Sequence, residues 1–101
     1  MIACANWVAS ECRRIGLHTT VHETKGHPIV VATTNPNRTD YKPHFLVYGH
    51  YDVQPPDPLH LWRTPPFEPR IEGNSLFGRG ASHNTGQPFA PLKAVEALLQ
   101  P

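Results

Sequence analysis

Cysteine, charge and long apolar runs are all scarce in this sequence, and each scarcity closes off a class of explanation. The chain has 101 residues, so one small domain is the upper limit. Its only cysteines are Cys4 and Cys12. If the segment around them is helical, they lie about 12 Å apart along the axis. The Cα atoms of a disulfide are within roughly 7 Å, so the pair is expected as free thiols, which fits the cytoplasm. No apolar run approaches the roughly 18 residues of a membrane span. No basic stretch leads into an apolar one near Met1, so no secretory leader is expected. Charged residues make up 17% of the chain and the net charge is +1. Lys and Arg are dispersed without a basic block, so nucleic-acid binding has no electrostatic footprint. Hydrophobic residues reach only 39%. A chain this short buries about 60–65% of its unfolded surface, and its core is expected to lean on a partner, a metal or the rest of a larger protein.

What is abundant is proline and histidine. There are 12 prolines and 7 histidines. The prolines crowd between Pro43 and Pro69, which marks a shaped loop because proline fixes φ and donates no hydrogen bond. Around that loop the apolar periodicity assigns the elements. Cys4, Val8, Cys12 and Ile15 fall on one helical face, so residues 2–15 are expected as an amphipathic helix ending at Arg13, Arg14 and Gly16. His18–Thr24 and Ile29–Thr34 read as strands joined at Lys25-Gly26. Phe45–Tyr48, a short continuous apolar run, reads as a buried strand. Gly73-Asn74 between Ile71 and Leu76 signals a hairpin. Pro91–Leu99 reads as a second helix with proline in its first turn. The order implies an α/β fold: a mixed sheet flanked by helices, with loops at strand ends as the place for a ligand.

Two of those loops carry chemistry-bearing residues. In the first, His50-Tyr51-Asp52, an extended backbone puts an imidazole and a carboxylate on one side. That pairing suits a metal-binding histidine oriented by an acid, or simply two polar residues facing water. The second is GRGASHNTG, residues 78–86. A dinucleotide cradle needs G-x-G-x-x-G, but His83 occupies the place of the third glycine. No Gly-Lys-Ser/Thr follows, so the phosphate reading fails and a glycine turn or a metal loop remains. The proline-rich loop between them has Trp62 and Phe67 as candidate anchors against the sheet.

Taken together, YGHYDVQPPDPLHLWRTPPFEPRIEGNSLFGRGASHNTGQ resembles a family of zinc-dependent metallopeptidases. That family includes carnosinase-type dipeptidases, acetylornithine deacetylase, succinyl-diaminopimelate desuccinylase, aminoacylase and glutamate carboxypeptidase. The wording from Gly49 to Pro69 is nearest the dipeptidase branch. ECRRIGL, ETKGHPIV and LKAVEALL extend the resemblance along nearly the whole chain. It implies that residues 1–101 are the N-terminal part of a partial zinc-peptidase-like catalytic domain, without a lid or dimerisation domain and with a C-terminal segment missing. It also implies that His50 binds zinc and that Asp52, in the catalytic set, positions it. The family's bridging aspartate aligns with His83 and its lysine with Thr85. A cis peptide often follows the bridging acid, which draws attention to the His83–Asn84 bond.

Histidine for that aspartate changes the chemistry. A carboxylate has two oxygens for two metals, whereas a neutral imidazole has one free lone pair. His83 is therefore expected to help hold one zinc or none, in place of the family's two. The family's downstream Glu-Glu pair, which supplies the general base and a ligand, has no counterpart in the sequence. The expected function is a segment of a zinc dipeptidase or amide hydrolase, inactive by itself. By family, its substrate is a peptide or an N-acyl amino acid, and no substrate-binding residue can be named. The alternative is a small non-catalytic zinc-binding or interaction module.

Overall fold

The computed structural model describes residues 1–37, 39, 41–83 and 89–99. It divides into two compact units, Met1–Val47 with Pro91–Pro101, and Tyr48–Ala90.

The first unit is built on helix α1, Ile2–Arg14. The helix stops where the sequence predicts. Gly16 takes φ +88°, a left-handed conformation that glycine adopts without a Cβ penalty. The N–H groups of Gly16 and Leu17 then reach the carbonyls of Arg13 and Cys12, both at 3.0 Å, satisfying acceptors the helix leaves open. The buried line runs through Ala5, Ala9 and Cys12 to Ile15. Of the expected stripe, Cys12 and Ile15 are buried while Cys4 and Val8 are half-buried. The reason is contact distance: a hairpin lies against α1, and the small alanines allow that approach. Burial also pushes the Cys12 thiol pKa up. Both cysteines are free.

That hairpin pairs β1, His18–His22, with β2, Ile29–Thr33, in antiparallel register with Val21 opposite Val30. Its turn is held by side-chain bonds. The Gly26 N–H donates to Thr24 Oγ1 at 3.0 Å, and that hydroxyl donates to the His27 carbonyl at 2.8 Å. Val21 and Val30 are half-buried, while His22 and Ile29 on the other face are exposed, the alternation of a one-sided sheet.

Helix α2 spans Phe89–Leu99, starting two residues before the expected Pro91. Pro91 still lies in the first turn, where no intrahelical bond awaits its missing N–H. Glu96 of α2 meets Arg14 of α1 at 2.7 Å and Lys93 at 2.8 Å. Those bonds, the one from Arg14 first, hold its carboxyl down at about 2. No described helix is long and apolar enough to cross a membrane.

The second unit contains a short hairpin of β3, Arg70–Glu72, and β4, Ser75–Phe77. Gly73 takes φ +57° at the first turn position, where a two-residue hairpin calls for glycine. The side chains of Arg70 and Glu72 form an ion pair. The unit's other described residues before Phe89 form loop, interrupted by a 3₁₀ turn at Leu59–Leu61. None of its described residues is buried.

The α/β class expected from the sequence holds. Its strands, however, pair as two separate antiparallel hairpins. The strand expected at Phe45–Tyr48 is absent, and Phe45 and Leu46 are 91% and 93% exposed. An apolar run becomes a buried strand only when neighbours satisfy its backbone, and no described strand pairs with this one.

Candidate metal centre

The site begins at His50, in the irregular segment that follows the apolar run. Its Nδ1 lies 2.7 Å from Asp52 Oδ1, the i, i+2 approach expected of extended backbone. A carboxylate oxygen only accepts, so the contact assigns the proton to Nδ1. This leaves Nε2 with the free lone pair of a metal ligand. The His50 side chain is 32% exposed and that of Asp52 63%, so the pair is accessible.

The glycine loop brings His83 to the same place. The His83 N–H bonds the Gly80 carbonyl and the Ala81 N–H bonds that of Gly78, each at 3.2 Å. Between these turns Gly80 has φ +85°. The His83 ring then stands edge-on to His50, with centroids 5.1 Å apart and planes at 66°. Both histidines, with Asp52, Val53, Gln54 and Pro55, line an open depression.

That separation tests whether the pair suits zinc. Two imidazoles on one tetrahedral ion, each at about 2.0–2.1 Å, hold their ring centres about 5 Å apart. The observed spacing of the His50 and His83 rings meets that requirement, and the pair offers two imidazole donors. It does not make a full set. Among the described residues, no three His, Cys, Asp or Glu side chains group as metal ligands, and Asp52 is engaged with His50. Thr85 and the His83–Asn84 bond fall outside the described residues; the cis peptide among those described is Asp57–Pro58.

The proline-rich loop is anchored differently from expectation. Phe67 is 62% exposed. Trp62 donates its indole N–H to the Pro56 carbonyl at 2.7 Å. Its ring lies under the Arg79 guanidinium, 4.9 Å from the centroid, a cation–π contact. The Arg79 N–H also bonds the Pro66 carbonyl at 2.6 Å. Trp62 thus serves as an anchor to the glycine loop. Arg79 and Val53 lie within the quoted motif stretch, but the sequence assigned neither a role.

Residues 46–101, which include His50, Asp52 and His83, match the model of peptidase family M20/M25/M40. The chain is 45% identical over 56 residues to succinyl-diaminopimelate desuccinylase 1 of Alteromonas mediterranea, covering 55% of this chain and 14% of that protein. It is 46% identical over 56 residues to succinyl-diaminopimelate desuccinylase of Colwellia psychrerythraea, again 55% and 14%. With the Methylococcus capsulatus protein of the same name, the identity is 42% over 62 residues, 61% of this chain and 16% of that one. The chain therefore matches only a small part of the length of these relatives. No solved structure gives a significant match.

Proposed function

The chain belongs to peptidase family M20/M25/M40, and from that premise we propose that it is a zinc-ligand segment of an amide-bond hydrolase that does not hydrolyse unaided. The observation that carries this reading is the His50–Asp52 contact at 2.7 Å beside the His83 ring. His50 would hold the ion through Nε2. Asp52 accepts the Nδ1 proton, fixes the ring and raises its basicity. His83 offers one lone pair, so the site takes one ion where the family takes two. Zinc, when bound, polarises a scissile carbonyl and lowers the pKa of water.

The missing parts argue for inactivity. The sequence has no Glu-Glu pair, the pair from which the family draws its general base. The remaining ligands and the base would come from the part of the relatives' length that this chain does not match. The substrate class is a dipeptide or an N-acyl amino acid. The dipeptidase wording of Gly49–Pro69 supports the first, and the relatives named desuccinylases support the second; both reactions cleave an amide. A cytoplasmic setting goes with two free thiols.

Zinc titration of the purified chain tests the site. The expected result is one ion per chain for wild type and strongly weakened binding for His83→Ala. Equal affinity removes His83 from the site. Metal-dependent dipeptide hydrolysis by the chain refutes the inactivity claim. A second reading, a non-catalytic zinc-binding module, is favoured by the pairing of two histidines without a third ligand among the described residues. The adjoining coding sequence separates the two: a downstream frame encoding Glu-Glu and the missing ligands supports the hydrolase segment, and its absence supports the module.

A further inference from the structure

We propose that Gly80 is a positioning residue that sets His83 against His50 by seating Val53 where any larger residue would place its Cβ. The G-R-G tripeptide touches the 49–69 loop at each of its positions. A Cβ on Gly78 would lie 3.4 Å from Pro69 Cα. Arg79 covers Trp62 and bonds the Pro66 carbonyl. At Gly80 the approach is closest: a Cβ there would lie 2.6 Å from Val53 Cγ1, a separation that cannot exist without movement. Gly80 also has φ +85°, which disfavours any side chain.

The two ends of this contact sit beside the two histidines. Val53 follows Asp52, the partner of His50, and Gly80 accepts the hydrogen bond from the His83 N–H. A shift at Val53 or Gly80 is therefore passed directly to one ring or the other. On this proposal the histidine separation rests on the close approach of two loops. For its ligand the inference rests on the one-zinc reading above. For the geometry it does not.

The test is a double-mutant cycle on the full chain. In the Val53→Ala background the nearest atom to a new Cβ at position 80 is Val53 Cβ at 3.7 Å, an ordinary contact, so only the φ strain remains. Gly80→Ala is expected to weaken zinc binding about tenfold or more in the native background, and about threefold or less in the Val53→Ala background. The nuclear Overhauser contact between the His50 and His83 rings in metal-free protein reads the same cycle: lost in Gly80→Ala, regained in the double variant. Equal losses in both backgrounds, or no loss in either, overturn the proposal, because a merely structural glycine is not rescued by trimming Val53. If wild type binds no zinc, the one-zinc reading fails and the ring contact alone decides the positioning role.

Discussion

The two units hold their shapes by different means. In the first, α1 and the β1–β2 hairpin enclose Ala5, Ala9, Cys12 and Ile15, with Arg14 tied to Glu96. In the second, nothing described is buried, and shape comes from prolines, two positive-φ glycines, and the stack of Arg79 on Trp62. The unit that carries the candidate metal centre is thus the one without a core. Burial sustains stability in one place, and point contacts set ligand geometry in another. Substitutions should therefore divide cleanly between those affecting stability and those affecting zinc.

Ile15→Ala should give the largest effect. It removes one of very few buried side chains and should cost about 2–5 kcal/mol in urea denaturation, with the zinc affinity of the remaining folded chain preserved. An unchanged urea midpoint would mean that the small core is not what holds the first unit. His50→Ala is the mirror image: zinc affinity should fall by about a hundredfold or more by titration, while the urea midpoint stays put. Asp52→Asn comes next. An amide accepts the Nδ1 proton less well than a carboxylate, and affinity should drop about 10–100-fold. A loss equal to that of His50→Ala would instead make Asp52 a ligand.

The smallest effect is expected from Glu96→Gln. The carboxyl of Glu96 is held at about 2 against an ordinary 4.5, so its folded-state pKa is depressed. The stabilisation it brings is fully present above about pH 4.5 and is lost as pH falls toward about 2. Glu96→Gln should flatten that part of the stability–pH curve relative to wild type. The drop should be slight, because such an ion pair is screened by solvent. A difference curve that changes only above pH 5 would contradict the assignment.

How much of this was legible beforehand depended on whether the cause was local. The period of α1 and the stop at Gly16 are written in neighbouring residues, and both were readable. Its buried line was readable only in part. Hydrophobicity singles out Cys4 and Val8, but it is the smallness of Ala5 and Ala9 that lets the hairpin approach. The apolar Phe45–Tyr48 has the composition of a strand, but pairing is a property of partners, which a local pattern does not contain. At the site, His50 and Asp52 share a side because of backbone alternation, so their contact was foreseeable. Motif resemblance pointed to His83. The seating of Val53 on Gly80, which brings the two rings together, joins residues distant in sequence through bare contact and leaves no pattern to read.

The stack of Arg79 on Trp62 makes the molecule its own optical instrument. The chain has two tryptophans, and they fall one to each unit. Trp7 lies on α1 with half its surface in water, at 51% exposure, while the Trp62 indole is covered by a guanidinium and bonded to Pro56. Parting of the loops uncovers Trp62. Intrinsic fluorescence of Trp7→Phe and Trp62→Phe variants then follows each unit separately, so loosening around the histidines can be timed without any attached dye.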